Sequence, residues 1–364
     1  MWPQVSTTAF SDLEHADDLN PVQREAVTQP IGPVLVVAGA GSGKTRMLTH
    51  RIAHLISAHH SSPFEILAIT FTNKAADEMK HRAALLVGPV ASRMWVSTFH
   101  SACARILRRE AAALGLRSSF SIYDQSDSVR LVGYIVRDMG LDPKRLQPRQ
   151  VHNAISAAKN DMVTPGAFAD RAVSPHDKRI AEIYEEYQRR VSEAHALDFD
   201  DLLGETVRLF SENPDVLERW RGRLRHVLVD EFQDTNLAQW EIVRMLSEEH
   251  RSIMVVGDAD QSIYRFRGAD FRNLLRFEDA FPEAVHIVLE QNYRSSRHIL
   301  DAANAVISHN ASRKPKNLWT EQISGELITH YQAEDEHDEA AFVTREIYRL
   351  TESEGERFSD IAVF

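Results

Sequence analysis

Apolar residues fall into short continuous runs, and the segments after them carry apolar positions at helical spacing. Pro33 to Val37, Ile66 to Phe71, Met94 to Ser97, His226 to Val229 and Ser252 to Gly257 are such runs. Unbroken apolar stretches of strand length, rather than alternating ones, mark strands covered on both faces, as in a parallel sheet between helical layers. Helices are predicted after Gly43, from Thr72, from Thr98 and through Trp240, each directly behind a strand. Successive strand-to-helix units specify an α/β fold with the strands parallel. A short helix over 19–27 precedes them, capped by Asn20 with Pro21 at its first position.

Between about Leu116 and Leu197 the strand-like runs stop. Tyr123 to Met139, Pro148 to Asn160 and Pro175 to His195 read as helices, with Asp161 to Pro175 as a Pro/Gly-containing link. That pattern predicts a helical insertion, left through Leu197 to Leu203. Beyond Phe281-Pro282 a second sheet is expected to begin. Val285 to Leu289, Gly325 to Tyr331 and Ile361 to Phe364 read as its strands, and Arg297 to His309 and Glu336 to Leu350 as its helices. The resulting division is 1–115 and 198–281 as two parts of a first core, 116–197 as the insertion, and 282–364 as the incomplete start of a second core.

Composition narrows the function classes. The 364 residues are 43% hydrophobic and 26% charged, as expected of a soluble protein with more than one core. Met1 to Asp18 holds four acidic residues and lacks the basic and apolar regions of a signal peptide, so a cytoplasmic location is expected. One cysteine, Cys103, excludes an internal disulfide or a cysteine-based metal cluster and reads as a small packed hydrophobe. Net charge is −11, but Tyr331 to Glu356 carries nine acidic residues against Arg345 and Arg349, a net of −7. Most of the acidity therefore sits near the C-terminal end, and a nucleic-acid surface elsewhere stays open.

The chemistry gathers where strands end. Ala38-Gly39-Ala40-Gly41-Ser42-Gly43-Lys44-Thr45 lies between a strand and a helix. Its glycines let backbone N–H groups converge on a phosphate at a helix N-terminus, with Lys44 for the outer phosphates and Thr45 for Mg²⁺. The first position is Ala38 where the usual pattern has glycine. Val227 to Val229 ends in Asp230-Glu231, placing a metal-side acid and a general base beside that loop. After Val255-Val256-Gly257, the amide of Gln261 precedes Tyr264 and Phe266 by a few residues, so a phosphate sensor adjoins aromatics able to stack on bases.

Taken together, Pro21 to Val27, Ala38 to Arg46, Ile69 to Ala76, Ser97 to Ser101, Leu197 to Leu203, Val229 to Asn236, Val256 to Ala269 and Gln291 to Ser296 resemble the UvrD/PcrA/Rep family of superfamily 1A DNA helicases in order and spacing. The resemblance implies RecA-like P-loop NTPase cores with ATP and Mg²⁺ in the cleft, driving 3′-to-5′ movement on single-stranded DNA or a 3′-tailed duplex in repair or replication. It implies that Gln23 reads the adenine, that Arg46 and Tyr293 flank its ring, and that Ala40, Gly41, Ser42 and Gly43 cradle the phosphates. Lys44, Glu231, Gln261 and Arg294 are implied as the catalytic set, and Thr45 and Asp230 as the metal side. Phe71, Thr98, His100, Phe199, Tyr264 and Phe266 are implied as DNA contacts, Phe266 standing where many members have tryptophan.

Family members continue well past residue 364. The chain therefore reads as the front half of a motor, expected to bind MgATP and single-stranded DNA weakly, to hydrolyse ATP poorly and to unwind nothing alone. Two alternatives share these residues: a non-motor module that only binds ATP and single-stranded DNA, and a subunit of a helicase-nuclease.

Overall fold

The computed structural model describes residues 18–264, 268–310, 316–322 and 325–364. Its centre is a six-stranded, all-parallel sheet made of β1 (Pro33–Ala38), β2 (Ile66–Thr70), β3 (Trp95–Thr98), β6 (His226–Val229), β7 (Ile253–Gly257) and β8 (Val285–Leu289). The order across it is β3-β2-β6-β7-β1-β8. A two-stranded parallel sheet, β4 (Ser121–Tyr123) with β5 (Ala196–Asp198), stands at the entry and exit of the helical insertion.

Side chains alternate across the main sheet as the strand period requires. Leu35, Val37, Leu67, Ile69, Val227, Val229, Ile253 and Val255 enter one core. Val34, Val36, Ile66, Ala68, Leu228, Met254 and Val256 enter the other. The second face is covered by α1 (Pro21–Thr28), α2 (Lys44–Ser57) and α3 (Asn73–Val87). The first face is covered by α4 (Phe99–Glu110), which contributes the buried Cys103 (pushed up to about 12 by burial), and by helices from the second part of the chain.

The insertion holds α5 (Gln125–Asp138), α6 (Pro148–Asn160), α7 (Pro165–Arg171) and α8 (Pro175–Glu193), packed around Val132, Ile155, Ile183 and Tyr187. The chain then returns through α9 (Phe199–Glu212), α10 (Pro214–Arg223), α11 (Leu237–Ser247) and α12 (Asn273–Ala280), with α13 (Arg297–Ile307) and α14 (Glu336–Ser353) following β8.

Several expectations are corrected. Val285–Leu289 does not open a second sheet, because it pairs in parallel with β1 from Val34↔Val285 to Ala38↔Leu289 and forms the sixth strand of the first. Only Ile287 and Leu289 of that strand are buried, which is the pattern of an edge strand covered on one side. Residues 325–331 and 361–364 are not strands. Leu327 and Ile328 there are 74% and 57% exposed, and a strand needs a partner ladder that these described residues lack. The link over 161–175 contains α7, capped by Thr164 with Pro165 at its first position. Strands β4 and β5 went unread because three residues carry no usable period.

At the opposite edge of the sheet from the phosphate loop, His226 is buried between two hydroxyls. Its Nε2 lies 2.8 Å from Ser61 Oγ and its Nδ1 2.6 Å from Ser252 Oγ. Burial first, then the neighbouring His250 and Arg225, push it down to about 4 from the ordinary 6.5. As pH falls, the unfolded chain takes up this proton before the folded one, so His226 removes stability between about pH 6.5 and about 4. Urea unfolding across that window should show a steeper acid loss for the unchanged chain than for His226→Gln. Equal slopes would show that the imidazole is not held neutral in the fold.

Candidate nucleotide site and single-strand groove

The phosphate loop leaves β1, which lies beside the edge strand β8, and turns into α2. Gly41 and Gly43 have φ of +68° and +83°, the left-handed region where a side chain is strained. Space is also short there. A Cβ on Gly43 would lie 2.7 Å from Gln23 Nε2, and one on Gly41 would lie 2.5 Å from Asn292 Nδ2. Ser42 is buried and its hydroxyl donates to the Gly39 carbonyl at 2.7 Å, closing the loop on itself. Lys44 and Thr45 open α2, where unpaired N–H groups of the first turn face the loop.

Gln23 braces this loop from behind. It is 1% exposed, its Nε2 donates to the Ser42 carbonyl at 2.7 Å, and its Oε1 accepts from the Asn20 N–H at 3.1 Å. The side chain that the resemblance assigns to the adenine also completes the capping box of α1. Arg46 pairs with Asp18 at 3.2 Å, and Tyr293, 44% exposed, is held at its hydroxyl by Asn20 Nδ2 at 2.8 Å.

The carboxylates arrive on β6. Glu231 has φ +50°, uncommon for a non-glycine residue, and this conformation turns its side chain back toward the loop. Lys44 Nζ donates to Glu231 Oε2 at 3.1 Å, and Gln233 Nε2 donates to the same oxygen at 2.9 Å. Gln233 Oε1 in turn accepts from the Asp258 N–H on the next strand at 2.9 Å, so the acid strand and the strand bearing Gln261 are braced together. Asp230 is buried, and its carboxyl is pushed up to about 7 by burial and by Glu231 beside it. Asp234 is raised to about 6 for the same two reasons, and its Oδ1 is buried with no hydrogen-bond partner.

This is a site with more acid than its one lysine offsets. Among the described residues no three His, Cys, Asp or Glu side chains stand close enough to hold an ion on their own. Mg²⁺ binds instead through one or two carboxylates together with phosphates and waters, and Asp230 with the Thr45 hydroxyl fits that donor set.

Gln261 follows β7 and Arg294 follows β8 along the same edge. Gln261 Nε2 donates to Asp258 Oδ2 at 2.5 Å. The exposed Arg294 follows a turn clamped to the phosphate loop: Asn292 Nδ2 donates to the Ala40 carbonyl at 2.6 Å and the Tyr293 N–H to the Gly41 carbonyl at 3.0 Å. Tyr293 and Arg294 thus follow a strand that is paired within the main sheet, not one that opens a separate second sheet.

Along the same edge, toward β2 and β3, runs a groove of about 1560 Å³. Phe71, Thr98, His100, Phe199 and Tyr264 all line it. The Phe71 and Tyr264 rings lie 5.0 Å apart, and those of His100 and Phe199 5.7 Å apart edge to face. Phe71 and Phe199 are 39% and 46% exposed, so their faces are available, whereas burial lowers the His100 pKa below its ordinary value. Three of the carboxylates in the wall are paired with cations: Asp198 with Lys159, Asp260 with Lys316 and Asp270 with Arg272. Phe266 lies outside the described residues.

Three contributors were missed from the sequence. Gln233 and Asn292 lie inside the motif blocks and are there to be read, but their work is to hold other residues, which no spacing rule announces. Lys316, paired with Asp258 and Asp260, comes from a segment without a motif.

The UvrD/REP helicase N-terminal domain pattern matches residues 19–282, and the UvrD-like helicase C-terminal domain pattern matches residues 287–364. The chain is 53% identical over 359 residues to the ATP-dependent DNA helicase UvrD1 of Mycobacterium tuberculosis (strain ATCC 25618 / H37Rv), covering 96% of this chain and 47% of that protein. It is 48% identical over 345 residues to the ATP-dependent DNA helicase PcrA of Bacillus subtilis (strain 168), covering 95% and 47%. The chain thus spans about half the length of the curated relatives it matches.

Proposed function

Because the chain belongs to the UvrD/REP helicase family, we propose that it carries the ATP site and a single-strand groove of an ATP-dependent DNA helicase. The movement is 3′ to 5′ on single-stranded DNA, the substrates include 3′-tailed duplexes, and the setting is repair or replication. One observation supports this above the rest: the phosphate loop, the Asp230-Glu231 pair and the aromatic groove occupy a single sheet edge. The likeness of the chain to PcrA and UvrD1 helicases supports the reading of the groove as a DNA site.

MgATP, when bound, supplies the γ-phosphoryl group and a cation that offsets its charge. The N–H groups of Gly41 to Lys44 hold phosphate oxygens, and Thr45 and Asp230 would hold the cation. Lys44 exchanges its Glu231 partner for the outer phosphate, which releases a carboxylate. Glu231, still held by Gln233 Nε2, then orients a water and accepts its proton. Gln261 and Arg294 present their donors from β7 and β8, where charge builds up. In the groove, Phe71 and Phe199 offer ring faces to bases of any sequence, as movement along a strand requires.

Lys44→Ala should weaken binding of a fluorescent ATP analogue with Mg²⁺ and abolish hydrolysis, while Glu231→Gln should keep that binding and lose turnover by at least ~10²-fold. Loss of affinity in Glu231→Gln with turnover preserved would reverse the assignment.

For the groove, Phe71→Ala or Phe199→Ala should weaken binding of a mixed-sequence oligonucleotide by roughly 1–3 kcal/mol, read by fluorescence anisotropy. An equal loss with blunt duplex DNA would contradict stacking on single strands.

A further inference from the structure

Two neighbouring side chains at the C-terminal end of α6 leave the helical insertion in different directions. Lys159 Nζ lies 2.7 Å from both Asp198 Oδ2 and Asp201 Oδ1, and the Tyr187 hydroxyl donates to Asp198 Oδ2 at 2.8 Å. That buried cluster fixes the turn that carries Phe199. Asn160 makes a different set of connections. Its Nδ2 donates to Asp200 Oδ1 at 3.1 Å and to the Ser156 carbonyl at 2.8 Å, while its Oδ1 accepts from Asn236 Nδ2.

Asn236 has no other use for that amide nitrogen among the described contacts. Its Oδ1 caps α11, accepting from the Gln239 N–H at 2.9 Å, and its carbonyl is held by Asn273 Nδ2 at 3.1 Å. It ends the short strap that leaves Glu231. Gly268, in the loop that follows Tyr264, presses on the same group, since a Cβ there would lie 3.2 Å from Asn160 Cβ. One side chain, 9% exposed, therefore bonds to the residue after Phe199 and to the strap behind Glu231, and leaves little room for a Cβ at Gly268.

The anchoring of α6 in the insertion comes from Val151, Ile155 and Ala158, not from this amide. A buried amide has one acceptor and one donor group to share. If the strap moves when Glu231 changes partner, Asn160 either follows and draws on Asp200, or leaves a buried polar group unmet.

We infer that Asn160 is a positioning residue that links the nucleotide end of the sheet edge to the groove, by tying Asp200 to Asn236; this rests on the function proposed above. Its consequence is reciprocal: the oligonucleotide changes nucleotide affinity by the same factor as the nucleotide changes oligonucleotide affinity.

The test uses the full 364-residue chain, the Mg²⁺ complex of a fluorescent non-hydrolysable ATP analogue, and a mixed-sequence oligonucleotide. Each Kd is measured with and without the other ligand at saturation. The unchanged chain should show a coupling factor of at least about 5, and Asn160→Ala should bring it near one while each Kd measured alone stays within about twofold. Asn236→Ser keeps an oxygen to cap α11 but removes the amide donor, and it should give the same loss. The double variant should lose no more than either single one. A coupling factor unchanged in both single variants overturns the proposal. So does Asn160→Ala weakening the oligonucleotide alone with coupling intact, which would make Asn160 a direct groove contact. A chain that binds both ligands with a factor of one sinks this inference and leaves the proposed function standing; a chain that binds neither sinks both.

Discussion

Everything at the functional edge depends on the parallel pairing of β1 with β7 on one side and β8 on the other. Parallel strands put all their C-terminal ends on one edge, so loops from distant parts of the sequence meet there. From β3 to β8 that edge presents Thr98 and His100, Phe71, the Asp230-Glu231 pair, Gln261, the phosphate loop, and then Tyr293 and Arg294. Thr98, His100 and Phe71 fall at one end and the phosphate loop with Tyr293 and Arg294 at the other, with the acids between. Neighbouring strands stand about 4.8 Å apart, so β6 lies roughly 10 Å from β1, a gap that a lysine from the loop and a carboxylate from the acid strand close together. The 3.1 Å contact of Lys44 with Glu231 is that closure.

Electrostatics decides how the edge behaves without ligand. Asp230, Asp234 and Asp200 are raised by burial first and by a neighbouring carboxylate next, and Asp201 is raised by burial against the opposing pull of Lys159. Such crowding of acid is costly unless cations offset it, and Lys44 and Lys159 each serve one cluster. The two clusters differ in purpose. Lys159 is sealed between Asp198 and Asp201, with side-chain exposures of 6%, 4% and 7%, and so fixes the turn bearing Phe199. Glu231, 34% exposed, can change partner.

Much of this was readable in the sequence because it rests on local rules. Unbroken apolar runs located five strands of the main sheet, and the glycine loop, the acid pair and the aromatic positions were each placed at a strand end. What stayed hidden depends on partners distant in sequence. No pattern in Val285–Leu289 says whether it starts a new sheet or edges the first, because that is settled by which strand offers it a free ladder. Conversely, Gly325 to Tyr331 has strand composition but no partner strand among the described residues. Gln23 shows the same limit in a side chain: its position in the block is visible, but its burial against Ser42 is not. Asn160 and Asn236, 76 residues apart, meet only in the fold.

The central claim is that one edge holds two separate ligand sites, and hydrogen–deuterium exchange on the 364-residue chain tests it most directly. The Mg²⁺ complex of a non-hydrolysable ATP analogue should slow exchange at residues 39–45 and 291–295. A mixed-sequence oligonucleotide should slow it at residues 71–73, 98–101 and 199–202, with the phosphate loop left largely as it was. Protection of the same segments by both ligands, or protection by the oligonucleotide confined to the acidic stretch 331–356, would contradict the account.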